Sequence, residues 1–167
     1  MATEAKMRVF RAQEIGEIPG EESSFDPAPA ATTEGLMRMF EAGMPSGAVV
    51  KRLFDAPGFS LLYAWFKPGF PLPRHSHDKD CLYYIVSGSL RLGTEELGAG
   101  DGFVLTADTP YTYAIGPEGL EILEFRHEGD FNSRAMGGTK AYWDKAVSAI
   151  TANRAAWQAM MPPRAAA

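Results

Sequence analysis

A single cysteine among 167 residues rules out an internal disulfide, so the chain does not read as a disulfide-stapled secreted scaffold. No apolar run is long enough to span a bilayer, and Met1 to Arg11 has no apolar core of signal-peptide length. The cytoplasm is the expected location. Positive charge is also short: a formal net charge of −5 and a pI near 5.2 exclude a nucleic-acid or anionic-membrane surface, because phosphate binding needs clustered Lys and Arg. There is no Gly-rich phosphate loop in a strand-to-helix context. Ser87-Gly88-Ser89 lacks the Gly-x-Ser-x-Gly form of a nucleophile elbow. These absences leave a small molecule, or another protein, as the partner.

What is present is a composition of 46% hydrophobic and 22% charged residues, enough for one domain with a substantial core. Met7 to Phe10 alternates as a short strand would. Ile15 to Ala31 turns rich in Gly, Pro, Ser and acidic residues, and Pro27 and Pro29 forbid regular ladder pairing there. We read residues 1–34 as a strand and an extended arm. From Gly35 the turns become regular, with Leu36 to Phe40, Ala48 to Phe54 and Ser60 to Lys67 as short strand-like runs. The pattern continues through Leu82 to Ser87, Leu90 to Leu92, Phe103 to Thr106, Tyr111 to Ile115 and Leu120 to Phe125. Short strands between turn signals indicate a sandwich or barrel over 35–130. Helical spacing is expected only in 131–167. There Thr139 is a plausible N-cap, and Trp143, Val147, Ile150, Trp157 and Met161 form a stripe that Pro162-Pro163 ends. The stripe packs on its own barrel or, in the other reading, on a second copy of the chain. The alanine tail is expected to fray.

The rest is organised around Gly69 to Gly88, which holds two of the three histidines and the cysteine. Side chains two apart on a strand share a face. His75 and His77 therefore converge, and in extended chain Cys81 and Tyr83 join them. Two imidazoles and a thiol are ligands that zinc, iron and copper prefer and that manganese and magnesium do not. Asp78 and Asp80 lie near enough to support the imidazoles, although their parity places them on the opposite face. Cys81 has a second reading as a small buried hydrophobe.

Gly69, five residues, His75, one residue, His77, three residues, Cys81, six residues and Gly88 resembles the first motif of the cupin superfamily. The family places Glu where Cys81 stands. Gly100-Asp101, leading through Phe103-Val104-Leu105 to Pro110-Tyr111, is similar to the second motif, with Tyr111 at the place of the last His. The resemblance implies an all-β, cupin-like jelly-roll β-barrel with an N-terminal arm and a C-terminal α-helix, and a homodimer. It also implies a divalent transition metal held by His75 and His77, with Cys81 as third ligand and Tyr111 as fourth ligand, acid or base. The expected function is that of a metal-binding cupin enzyme, a dioxygenase or a Lewis-acid isomerase or lyase, acting on a small organic molecule in the barrel. The other reading is a non-catalytic cupin that binds a small ligand. Tyr63, Trp65, Tyr83 and Tyr113 line the pocket by alternation or, individually, form ordinary core. Glu124 and Arg126 share one face of the last strand and Glu121 and His127 the other, and parity does not say which face is inward. An inward Glu124 belongs to the pocket; His127 reads as exposed.

Overall fold

The structure, a computed structural model, describes residues 7–18, 28–129 and 131–167. Eight strands follow in order: β1 (Ala48–Ala56), β2 (Phe59–Phe66), β3 (His75–His77), β4 (Cys81–Leu92), β5 (Glu95–Gly98), β6 (Gly102–Leu105), β7 (Ala114–Arg126) and β8 (Ser133–Ala135). Helix α1 (Ala30–Ala42) precedes them and α2 (Lys140–Ala159) ends the fold. Six strands form one antiparallel sheet in the order β1-β2-β7-β4-β5, with β6 also paired to β4, and β3 pairs with β8 in a second, two-stranded sheet. The architecture is the expected all-β jelly roll closed by a C-terminal helix.

Alternation along β4 sorts its residues. Cys81, Tyr83 and Ile85 are buried in the inner core, while Leu82, Tyr84 and Val86 stand exposed on the outer face. On β2, Ala64 and Phe66 face the inner core, whereas Leu61, Tyr63 and Trp65 join a second cluster with Leu53 and Ala166. On β7, Leu120 and Ile122 are inward and Leu123 and Phe125 pack with the second cluster. Gly88, at φ 74°, lies against Gly119, also at positive φ, where a Cβ on Gly88 would collide with the Gly119 carbonyl oxygen. Both positions need glycine for the strands to pass.

Several expectations are corrected. Leu36 to Phe40 is not a strand but the second half of α1, whose N-terminus falls in the stretch assigned to the arm. Apolar Leu36 and Met39 at helical spacing pack it inward, and Gly35 lets it sit flush on the Trp143 ring of α2. Met7 to Phe10 carries no strand pairing, although Phe10 packs on Phe54 with ring centroids 6.4 Å apart. The middle of the arm, 19–27, lies outside the described residues, and Ile18 donates its N–H to the Val50 carbonyl of β1. Tyr111 stands before β7 in an isolated bridge, and β7 runs unbroken through Gly116 and Pro117. The segment assigned to the C-terminal helix begins with β8.

Helix α2 starts where expected, with the Thr139 hydroxyl accepting from the Tyr142 N–H at 3.2 Å. Trp143, Ile150 and Trp157 are buried, but Met161 lies past the helix end and is 87% exposed. The tail does not fray: Ala166 is buried in the second cluster, and buried Lys51 donates to the Ala167 carbonyl at 2.8 Å. The other buried lysine, Lys67, donates to the Trp157 carbonyl at 2.7 Å and ties α2 to the sheet. Among the described residues no helix is long and apolar enough to cross a membrane.

Candidate active site

The short sheet formed by β3 and β8 is joined to the rest by the His77 carbonyl, which accepts from the Asp108 N–H at 2.7 Å, and by a bridge at His75. His75 and Tyr111 exchange main-chain hydrogen bonds of 3.0 and 2.9 Å. Their side chains meet as well. His75 Nε2 lies 2.8 Å from the Tyr111 hydroxyl, His77 Nε2 lies 3.1 Å from it, and the Tyr83 hydroxyl lies 2.7 Å from it. Four side chains from β3, β4 and the segment before β7 thus share one phenol oxygen.

The protons can be assigned by elimination. His75 Nδ1 lies 2.7 Å from the Pro73 carbonyl, which only accepts, so Nδ1 carries the hydrogen and Nε2 accepts from Tyr111. That spends Tyr111's one proton. His77 Nε2–H and the Tyr83 hydroxyl then both donate to the Tyr111 oxygen. His77 Nδ1 accepts from the Ser133 hydroxyl at 3.2 Å, a shorter contact than the 3.4 Å to the Asn132 carbonyl. Every contact of the Tyr111 oxygen then holds one proton, and both rings are neutral. Burial lowers the pKa of His75. Burial first, and Arg126 second, push His77 down to about 4. Burial likewise raises Tyr111, Tyr83 and Tyr113 well above the usual phenol, so Tyr111 keeps its proton.

The remaining expected site residues divide. Tyr83 stacks on Phe103 at 4.5 Å, and Tyr113 lies 6.1 Å from Tyr111, so both belong to the inner face. Glu124 is inward, opposite Tyr83 in the β4–β7 register, and accepts from Arg126 Nη2 at 2.8 Å. Tyr63 and Trp65 are not part of this group. They occupy the outer face of β2, where Tyr63 donates to Glu121 and Trp65 lies beneath the Lys67 ammonium. Asp78 and Asp80 accept from the main-chain N–H groups of Asn132 and Ala107, so neither supports an imidazole. His127 is exposed at the surface.

Cys81 is inward and 2% exposed, and burial, followed by Glu124, pushes its thiol up to about 12. The ligand set expected from the sequence is not assembled. Among the described residues no three His, Cys, Asp or Glu side chains form a group that could hold a metal ion, and the point where the two Nε2 atoms converge is taken by a protonated phenol. A third protein ligand is what zinc sites require. The residues present do not fit such an ion as they are arranged.

Arg126 and Phe131 are functional candidates that sequence reasoning did not assign. Arg126 is 2% exposed, and its guanidinium lies 3.9 Å from the centroid of Phe131, whose ring also packs edge-on against His77 at 5.4 Å. Burial opposes the charge of Arg126, and Glu124 beside it more than restores it. A pocket of about 300 Å³ lies at the end of the main sheet, bordered by Phe59, Cys81, Leu82, Val104, Phe125 and Arg126 among others.

No protein-family model matches the chain, and no curated protein matches it in sequence. Solved structures do match its fold. The polyketide cyclase RemF from Streptomyces resistomycificus superposes with a TM-score of 0.56 and 16% identity, over 86% of this chain and 98% of that one. Oxalate decarboxylase OxdC from Bacillus subtilis, a protein with Mn(II) centres, gives 0.48 and 19% over 54% of this chain; the match spans 28% of its own length. KdgF from Halomonas sp. gives 0.42 and 23%, over 68% and 94%. The likeness to RemF shows the fold: this chain has an antiparallel jelly roll of cupin type.

Proposed function

We propose that the chain is a small cupin enzyme that binds an organic molecule inside the barrel and moves a proton on it through Tyr111, His75 and His77. The observation that carries this is the shared phenol: two neutral imidazoles and one tyrosine hydroxyl converge on Tyr111 within 3.1 Å. When a substrate carbonyl oxygen takes the place of an imidazole as acceptor, the Tyr111 O–H donates to it. The Nε2 lone pair of His75 is thereby released. A neutral phenol aimed at a carbonyl oxygen stabilises the enolate that forms when the freed imidazole removes the neighbouring C–H proton. The proton ends on Nε2 and returns to carbon or to a leaving group, which is isomerisation, elimination or ring closure. The fold likeness to a polyketide cyclase, over 86% of this chain, supports a substrate with activated C–H groups beside carbonyls.

The test is deuterium incorporation beside the carbonyl in a panel of small ketones, 2-oxo acids and 1,3-dicarbonyls, read by NMR. Tyr111→Phe is expected to slow exchange about 10²-fold or more with the fold intact. Equal exchange in both proteins would favour the non-catalytic binder. Metal analysis of the purified protein tests the donor set independently. Near-stoichiometric zinc, iron or copper that disappears in His77→Ala overturns the metal-free reading. A homodimer is part of the proposal, supported by exposed Phe59, Leu82, Tyr84, Val86 and Val104 on the outer sheet face and tested by sedimentation velocity.

A further inference from the structure

The inner face carries a charged pair whose hydrogen bonding is incomplete. Arg126 gives Nη2 to Glu124 Oε2 at 2.8 Å, while Nε and Nη1, both buried, have no acceptor among the described residues. A guanidinium has five N–H bonds, and three of them belong to these two nitrogens. Buried donors without acceptors are costly, and a well-packed apolar residue serves stability better. The fold meets this cost at its other buried cations: Lys51 and Lys67 end on the main-chain carbonyls of Ala12, Ala167 and Trp157. Arg126 is the exception, and it stands beside the proton-bearing centre, since Phe131 packs on both Arg126 and His77.

We infer that Arg126 anchors a carboxylate of the molecule that enters the barrel, so that the substrate is a small organic acid. This rests on the reading of the barrel as a reaction chamber. Carboxylate oxygens accept from Nε–H and Nη1–H in the guanidinium plane, a planar match that arginine makes well. Phe131 covers the face of the guanidinium and leaves its edges to bind. Glu124 balances part of the charge, which suits a singly charged carboxylate better than a doubly charged phosphate. Anchored there, the acid places its carbon skeleton toward His77 and Tyr111.

The full-length protein is titrated with acetate, acetoacetate and benzoate, each against its amide, while the Arg126 Nε–H resonance is followed by NMR. At least one acid is expected to bind, shifting that resonance and slowing its exchange with water, and its amide is not. Glu124→Gln with Arg126→Met removes both charges together, so no lone charge is left buried, and is expected to weaken that acid about 10- to 100-fold in a folded protein. Equal binding of acid and amide, or unchanged affinity in the double variant, overturns the anchor. So does an Nε–H that none of the three acids perturbs, since those donors would then serve ordered water only. Tyr111→Phe separates this inference from the one beneath it: acid affinity retained with deuterium exchange unaffected overturns the proton-transfer reading and leaves the anchor standing. Acid affinity absent from the parent, with exchange lost in Tyr111→Phe, does the reverse.

Discussion

On the outer face of β7, the Tyr63 hydroxyl donates to Glu121 Oε2 at 2.7 Å and Ser87 donates to Oε1 at 2.6 Å, so the carboxylate and both hydroxyls are matched. On the inner side, Tyr111 just before β7 is also matched, but by two rings that can exchange protons, and Arg126 keeps three N–H bonds without an acceptor among the described residues. The two faces bury similar polar chemistry for different ends. The outer carboxylate and its two hydroxyls complete their hydrogen bonds. Among the described residues the buried side-chain atoms left without a partner are the Ser76 hydroxyl and Nε and Nη1 of Arg126, and it is the charged group, beside paired imidazoles, that marks where another molecule belongs.

The contrast breaks most sharply at the charged pair. Arg126→Met alone leaves Glu124 buried and unbalanced and is expected to cost about 3–5 kcal/mol in urea unfolding, whereas the double variant with Glu124→Gln recovers most of that loss. A single variant as stable as the parent would mean that Glu124 is not held by Arg126.

Acid sharpens the comparison next. The unfolded imidazole titrates near 6.5 and folded His77 near 4, so between those values the unfolded chain binds the extra proton and stability falls as pH falls, by roughly 3 kcal/mol at the lower end. His75, also lowered, acts in the same direction. Above pH 6.5 the contribution is complete and flat. Urea midpoints at pH 7, 5.5 and 4.5 should fall less steeply in His77→Asn; parallel curves would remove the inner face as the acid-sensitive one.

On the outer face the expected change is smaller. Tyr63→Phe leaves one oxygen of Glu121 without its partner and should cost about 1–2 kcal/mol with no effect on deuterium exchange. Any effect on exchange would erase the distinction between the faces. The smallest response is expected at Cys81. With its thiol pushed up to about 12 and 2% exposed, it should resist iodoacetamide at pH 8 in the native protein and react once unfolded.

Most strand positions between Ala48 and Leu105, the Thr139 cap and the shared face of His75 and His77 were legible because alternation and turn chemistry are local. Helix α1 was not. Leu36, Met39 and Phe40 read as an apolar run, and the docking of Gly35 on Trp143, more than a hundred positions away, is a contact that spacing does not contain. Tyr63 and Trp65 were assigned inward although Ala64 and Phe66 between and beside them are equally apolar, so parity had nothing to choose between. The same ambiguity hid Arg126: β7 has apolar residues at both parities, and the register against Tyr83 decides the inward face. Cys81 kept its position, but its neighbours supply no third ligand, a fact about distances that spacing does not contain.

His75 and Tyr111 hold each other twice, through main-chain bonds and through their side chains. The main-chain pair brings the two backbones together across residues 76–110, an excursion that also supplies His77 and Tyr83 to the same phenol. That excursion of the chain can therefore lengthen, shorten or change its turns, as long as the strands it carries still pair. In an evolving lineage the walls around the substrate can be rebuilt loop by loop while the two reacting groups stay in register.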